Sequence, residues 1–119
     1  MVIINIEGRI LMIKYSDWKS KEKIIEIYEE SESHEKTIRP NDIKEGAVIY
    51  QYNGWYGEVL DNAKGIRRVV NVHGHFTEAG SIFVWDISTC VQNGEMFKIE
   101  LPPKYRKQYK QFLEMYGYK

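Results

Sequence analysis

Two Asn-Gly dipeptides constrain the fold of this 119-residue chain more strongly than any other feature. Asn-Gly tolerates the positive φ that both central residues of a type I′ turn require, and that turn joins antiparallel strands. Each dipeptide lies between two β-forming runs, which are Gly46–Tyr52 and Trp55–Asp61 for Asn53-Gly54, and Ser81–Val91 and Glu95–Leu101 for Asn93-Gly94. The sequence therefore predicts two type I′ hairpins.

A further strand completes a predicted meander of five strands. Ile66–His73 is rich in β-branched residues and follows a longer turn at Asp61–Gly65, and Gly74–Gly80 is expected to be a loop. Short strands joined in sequence tend to curl, because curling hides their edges. We therefore expect a mainly β, α+β fold in which residues 44–101 form a small five-stranded barrel.

The region before the barrel, residues 1–43, is predicted to hold a hairpin. Val2–Ile6 and Arg9–Tyr15 are β-branched runs separated by Glu7-Gly8, a two-residue turn signal.

A short helix is then predicted, with Ser16 or Asp17 as its cap. Ile24, Ile25, Ile27 and Tyr28 follow at helical spacing, ahead of the polar stretch Ser31–Lys36. A strand over Lys23–Tyr28 is the alternative, and the spacing favours the helix.

The region after the barrel, residues 102–117, is predicted to be an amphipathic helix that caps it. Pro102-Pro103 suits the first turn and Gly117 suits the position after the last. One apolar stripe follows the helix, at Tyr105, Tyr109, Phe112, Leu113 and Tyr116. Tyrosine hydroxyls need water or a partner, so we expect this stripe to lie half-exposed at a barrel end or in a homodimer interface. The whole chain, 1–119, is predicted to be one domain.

Composition excludes several classes of protein. The longest apolar run is far shorter than the ~20 residues of a membrane span, and the start lacks a basic region and a cleavage site. We therefore expect a soluble, cytoplasmic protein. The 17 Lys+Arg offset the 17 Asp+Glu, but residues 26–35 are acidic and residues 104–110 are basic. A dedicated duplex-DNA binder usually has a net positive charge, which this chain lacks.

Residues 43–59, IKEGAVIYQYNGWYGEV, resemble the start of an SH3-like small barrel and, loosely, the KOW modules of ribosomal and transcription-elongation proteins. The matching positions are Gly46, Gly57 and Val59. The resemblance implies a five-stranded barrel whose loops and one sheet face contact RNA, DNA or protein. The Lys, Ile and Tyr usage of the compact chain also resembles that of small phage or mobile-element proteins.

The expected function is therefore non-catalytic binding, with nucleic acid as the first candidate partner. Aromatic side chains can stack on bases, and basic side chains can contact phosphates. The candidate residues are Tyr52, Trp55, Lys64, Arg67, Lys104 and Lys107, with Trp55 expected to be partly exposed beside the turn. The alternative is a protein-binding module, or an inhibitor of a host protein encoded by a mobile element. It would use the same hairpin and the acidic stretch at 26–35.

The sequence gives little support for a metal site, a nucleophilic catalytic residue or a nucleotide-binding loop. His73 and His75 have ligand spacing, but a metal site needs further ligands, so neither a metal nor a cofactor is expected. The single Cys90 lies in an apolar run, where a thiol is buried and inert. The chain contains neither GxxxxGK[ST] nor GxGxxG. No catalytic residue is predicted, and binding is favoured over catalysis.

Overall fold

Both sequence-predicted Asn-Gly hairpins are present in the computed structural model, within a sheet that is larger than expected. The structure describes residues 2–6, 9–13, 18–74 and 77–116. Its strands are β1 (Val2–Ile6), β2 (Arg9–Ile13), β3 (Glu32–Ile38), β4 (Val48–Gln51), β5 (Tyr56–Val59), β6 (Arg67–His73), β7 (Thr77–Phe83), β8 (Ile87–Gln92) and β9 (Glu95–Ile99). Its helices are α1 (Lys21–Glu30) and α2 (Pro103–Met115), and its 3₁₀ turns are Pro40–Asp42 and Val84–Asp86.

The main sheet has seven strands in the order β3-β9-β8-β4-β5-β6-β7. Only the β3–β9 pair is parallel, and the other neighbours are antiparallel. The predicted mainly β, α+β class is confirmed. In place of a five-stranded barrel, however, the described residues form an open sheet, because its edge strands β3 and β7 are not neighbours. The N-terminal hairpin, β1 with β2, is also confirmed and forms a separate two-stranded sheet.

Strand β3 was not predicted, because its sequence lacks the apolar alternation of a half-buried strand. It occupies the stretch that was expected to be the polar end of α1. An edge strand can be this polar, since charged side chains protect its free side from further pairing. Its side chains also bind β9 and the residue that follows it: Lys36 Nζ lies 3.2 Å from Glu95 Oε1, and Thr37 Oγ1 donates to Glu100 Oε2 at 3.1 Å.

The two Asn-Gly turns differ in backbone conformation. Asn93 and Gly94 have φ of 54° and 77°, as the predicted type I′ turn requires. The prediction is wrong for the first turn, where Gly54 has φ of 90° but Asn53 is not in the positive region. There Gly54 N–H donates to Gln51 O at 3.1 Å and Trp55 N–H donates to Asn53 Oδ1 at 2.9 Å. The asparagine side chain therefore caps the turn, and the glycine alone takes the left-handed conformation.

Strand β7 replaces most of the loop that was predicted at Gly74–Gly80. Its backbone pairs with the whole length of β6, from His73 opposite Thr77 to Arg67 opposite Phe83. The long strand expected over Ser81–Val91 is also wrong, because the 3₁₀ turn Val84–Asp86 interrupts it and separates β7 from β8. Val84 and Trp85 are buried in this turn, so it belongs to the core and not to a surface loop.

Both predicted helices are present, and α1 begins later than expected. Ser20 is its N-cap, and the Ser20 hydroxyl accepts a hydrogen bond from Lys23 N–H at 3.1 Å. Ser16 and Asp17 lie outside the described residues, so the predicted cap is four or three positions too early. The strand alternative for Lys23–Tyr28 is excluded. Helix α2 ends at Met115, and Gly117 also lies outside the described residues.

Three apolar clusters hold these elements together. The main cluster is formed by Ile43, Ala47, Ile49, Val59, Val70, Val72, Ile87 and Cys90. On the other face of β4, Val48 packs with Ile24 of α1 and Val91 of β8. The third cluster joins Val84 and Trp85 to Tyr105 of α2. Helices α1 and α2 therefore cover different parts of the sheet.

Candidate functional site

The structure separates the six sequence-predicted site residues into three places. Tyr52 lies at the β4–β5 turn with 76% of its surface exposed. Lys64 and Arg67 lie in and after the β5–β6 connection, and Lys104 and Lys107 are exposed on α2. Strand β5 joins the first two places, and its register with β6 runs from Tyr56 opposite His73 to Val59 opposite Val70. The two turns therefore lie at opposite ends of β5 and not beside each other.

Trp55 belongs largely to the core. It shares a face with Val59, as the alternation predicted, and packs against the main cluster. Its indole also covers Gly74 so closely that a Cβ at that glycine would lie 2.1 Å from the ring. This half-buried packing gives Trp55 a structural role that the sequence could not distinguish from a binding role.

Asn41 fixes the Lys64 turn against α2. Its backbone oxygen accepts from Lys64 Nζ at 2.9 Å. Its side-chain Oδ1 accepts from Gly65 N–H at 2.9 Å and from the Tyr105 hydroxyl at 3.1 Å. One residue in the Pro40–Asp42 turn thus joins the basic turn to the first turn of α2.

Arg67 and Arg68 take different environments, because adjacent residues of a strand point to opposite faces. Arg68 is fully buried, and its guanidinium donates to Pro40 O at 2.6 Å and to Gly65 O at 2.9 Å. Arg67 is half-exposed on the other face, where its guanidinium carbon lies 4.8 Å from the centre of the Phe83 ring. A cation over an aromatic face is attracted by the ring quadrupole. Of the two arginines, Arg67 is therefore the one that reaches the surface.

An aromatic groove lies next to Arg67, and sequence reasoning did not identify it. Its volume is about 370 Å³, and it is lined by Phe83, Trp85, Asp86, Tyr109, Phe112 and Leu113. Trp85 stacks on Phe83 with ring centres 4.7 Å apart and on Tyr109 with centres 5.3 Å apart. The apolar stripe of α2 did identify the residues that the helix contributes to this groove. The residues from Phe83 to Asp86 were not identified, because a continuous strand was predicted over Ser81–Val91. We call these six residues the aromatic groove.

Asp86 connects the aromatic groove to the tip of the first hairpin. Its backbone oxygen accepts from Tyr52 N–H at 3.0 Å, and its side chain also lines a recess of about 230 Å³ with Gln51, Tyr52 and Asn53. Partial burial raises the pKa of the Asp86 carboxyl above its ordinary value. One continuous surface therefore runs from Tyr52 past Asp86 and the aromatic rings to Arg67.

His73 and Cys90, two of the residues with potential for metal binding or nucleophilic chemistry, are buried. His73 is 4% exposed, and burial, followed by the nearby Lys21, lowers its pKa. His75 lies outside the described residues, and nowhere within them do three His, Cys, Asp or Glu side chains gather as a metal site would need. Burial raises the pKa of the Cys90 thiol to about 12, which keeps it protonated.

No protein-family model, curated protein or solved structure matches this chain. Neither α1 nor α2, the helices of the described part of the chain, has the length and apolarity to cross a bilayer.

Proposed function

We propose that this protein is a non-catalytic binding module whose open sheet contains the strand order of a small β-barrel, and that it contacts single-stranded nucleic acid through the aromatic groove. The observation that carries the proposal is the position of Arg67, whose guanidinium lies over Phe83 at the edge of the groove. Rings for bases and a cation for phosphate are therefore adjacent. This is the combination expected from the sequence, but Trp85, Tyr109 and Phe112 take the place of Trp55.

The exposed parts of the groove suit stacking on bases. Tyr109, Phe112 and Leu113 are half-exposed, whereas Trp85 beneath them is 6% exposed and forms the floor. A base stacked on an aromatic side chain contributes about 1–3 kcal/mol, largely independent of its identity. Bases in a duplex are already stacked, so a single strand is the form that can enter.

Basic side chains lie on α2 and in the turn that Asn41 joins to it. Lys64 is held beside α2 through Asn41, and Lys104 and Lys107 are exposed in the first turns of the helix. The first turn of α2 contains no acidic residue. Residues 26–30 of the acidic stretch lie on α1, which packs on a different cluster. A strand at the aromatic groove would therefore meet positive charge in spite of the zero net charge.

The connectivity supports the small-barrel part of the proposal. Strands β4 to β8 have the spatial order β8-β4-β5-β6-β7, and the 3₁₀ turn Val84–Asp86 precedes β8. This is the order expected for an SH3-like barrel, to which β9 and β3 add two further strands. Under this interpretation the aromatic groove lies where the last two strands of the barrel are connected.

The test measures binding of fluorescently labelled single-stranded RNA and DNA of about 10 nucleotides, by anisotropy. We expect the affinity of the wild type to fall steeply between about 50 and 200 mM salt, because phosphate contacts release counterions. The double variant Arg67→Gln/Lys107→Gln should bind severalfold more weakly with a shallower salt dependence.

The matched control is Lys23→Gln/Lys36→Gln, which removes the same charge from exposed side chains that pair with Glu26 and Glu95. It should bind like the wild type. Equal weakening by both double variants, or no binding of either strand at low salt, would overturn the proposal.

A protein partner is the second candidate, and the end of α2 favours it. Met115 and Tyr116 are 75% and 61% exposed, and the Tyr116 ring centre lies 4.7 Å from that of Phe112 in the aromatic groove. We propose a second copy of this chain as the first partner to test, in line with the homodimer expected from the tyrosine stripe. Light scattering should then show a dimer that Tyr116→Asp dissociates. A monomer at all accessible concentrations would exclude it.

A further inference from the structure

The carboxylate of Asp86 stands out in the aromatic groove, because every other side chain that lines the groove is aromatic or aliphatic. Within the described part of the chain, no group donates a hydrogen bond to this carboxylate and no cation pairs with it. Its backbone is fixed, since Asp86 O accepts from Tyr52 N–H and the residue ends a 3₁₀ turn. The groove therefore has one anionic acceptor group at its end, on a residue whose backbone is held in place.

A carboxylate in such a position discriminates among bases by their hydrogen-bond donors. Its two oxygens accept side by side, and charge-assisted hydrogen bonds of this kind are about twice as strong as neutral ones. Guanine presents two adjacent donors, N1–H and the N2 amino group, on one edge. Adenine and cytosine present one amino group each, and thymine and uracil present a single N–H between two carbonyl oxygens, which repel a carboxylate.

Resting on the function proposed above, we propose that the aromatic groove selects guanine in a single strand, with the Asp86 carboxylate accepting from N1–H and N2–H. The base lies against the exposed rings of Tyr109 and Phe112, which the floor residue Trp85 supports. The phosphates on either side face Arg67 and the basic residues of α2.

Phosphate contacts cannot explain the presence of Asp86, since a carboxylate repels phosphate. A negative charge in a groove that binds a polyanion weakens binding unless it forms contacts that compensate for the repulsion. Two charge-assisted hydrogen bonds from a base edge are such contacts, because a bidentate match of this kind discriminates by about 1–3 kcal/mol.

The experiment compares thymine oligonucleotides of about 10 residues that carry one central guanine, adenine, cytosine or thymine. We expect guanine to bind about tenfold more tightly than the other three. Inosine at the same position lacks only the N2 amino group and should lose most of this advantage. The analogue 7-deazaguanine leaves the recognised edge intact and should retain it.

The protein variant is Asp86→Asn, which keeps the shape of the side chain and removes one acceptor. It should bind all four oligonucleotides within about threefold of one another. Asp42→Asn makes the same chemical change at an exposed aspartate of the other 3₁₀ turn and should keep the guanine preference. Circular dichroism confirms that both variants are folded.

The outcomes separate the two proposals. No binding of any oligonucleotide overturns the nucleic-acid function itself. Equal binding of all four by the wild type, or equally tighter binding of all four by Asp86→Asn, leaves that function standing and overturns guanine selection. Free guanosine monophosphate should compete weakly, because it lacks the flanking phosphates. Competition as strong as that of the guanine oligonucleotide would overturn the assignment to a strand.

Discussion

Removing the side chain of Asn41 should release the turn that positions the basic residues. The Asn41 Oδ1 atom accepts hydrogen bonds from three donors, which are Gly65 N–H, Arg68 Nη2 and the Tyr105 hydroxyl, at 2.9, 3.2 and 3.1 Å. Asn41→Ala deletes this acceptor and leaves all three donors in place. The variant is therefore a direct test of how much this single atom stabilises the contact between the turn and α2.

The expected magnitude follows from the environments of the three donors. A neutral hydrogen bond contributes about 0.5–1.5 kcal/mol, and one from a charged group contributes about 1.5–3 kcal/mol. Asn41 itself is half-buried, so water replaces part of what is lost, and Arg68 keeps its bonds to Pro40 and Gly65. We expect Asn41→Ala to lower the free energy of unfolding by about 2–3 kcal/mol. A domain of this size has about 6–15 kcal/mol, so the variant should remain folded.

Urea denaturation followed by tryptophan fluorescence measures the effect. Asn41→Asp is the matched control, because it keeps the Oδ1 acceptor and adds a negative charge beside the Arg68 guanidinium. It should lie within about 1 kcal/mol of the wild type, and Tyr105→Phe should lose about 1 kcal/mol, the value of one neutral bond. A loss below about 0.5 kcal/mol in Asn41→Ala, or an equal loss in Asn41→Asp, would refute the reasoning.

Four further predictions concern stability and reactivity. Gly54→Val should lower the free energy of unfolding by more than about 1 kcal/mol, because Gly54 has φ of 90°, and an unchanged urea midpoint would contradict the turn. Trp55→Ala should lower it by about 2–4 kcal/mol, because the indole packs on the main cluster and Gly74; a melting temperature near that of the wild type would instead return Trp55 to the surface. Cys90, buried and with its pKa raised to about 12, should react with iodoacetamide only on unfolding; labelling of the native protein would show an accessible thiol. Burial lowers the pKa of His73 below 6.5, so as the pH falls the unfolded state binds the proton first, and the free energy of unfolding should decrease below that pH. His73→Gln should make the free energy of unfolding less dependent on pH in this range, and an unchanged dependence would assign it to other groups.

The elements that could be predicted from the sequence are those whose signal is local. The spacing of Ile24 to Tyr28 identified α1, and Asn93-Gly94 identified a type I′ turn with its correct φ values. Alternation along β6 correctly placed Arg67 and Arg68 on opposite faces. Each of these signals depends on a few neighbouring residues and on backbone geometry that needs no tertiary partner.

The elements that were missed depend on distant partners. Strand β3 pairs with β9, about 60 residues later, and its polar sequence shows no periodicity of its own. Strand β7 contains Gly80 and follows Gly74, so it resembles a loop until β6 lies beside it. The 3₁₀ turn Val84–Asp86 was missed because Val84 and Trp85 continue the apolar run from Ile82 and are buried as strand residues would be.

For the candidate site, too, the sequence predicted the types of side chain but not which of them lie together. The sequence identified the right kinds of side chain, aromatic and basic, and it identified Arg67. It grouped that arginine with Trp55, although the two residues belong to different turns. Strand β5 separates them instead, and the rings nearest to Arg67 come from β7, the 3₁₀ turn and α2. Consecutive turns lie at opposite ends of the strand that joins them, and the local sequence patterns of the turns do not show this separation.

The zero net charge of the chain does not describe its local charge, because the acidic and basic residues lie on different helices. Glu26, Glu29 and Glu30 lie on α1, which packs over Val48, whereas the basic residues of 104–110 lie on α2, which packs over Trp85. Because the two helices cover different clusters, the opposite charges do not neutralise one another locally. Screening at physiological salt acts over about 8 Å, which is short beside the extents of the molecule, 38 × 36 × 26 Å. A polyanion at α2 therefore responds to the charge of that side, and the neutrality of the whole chain does not count against it.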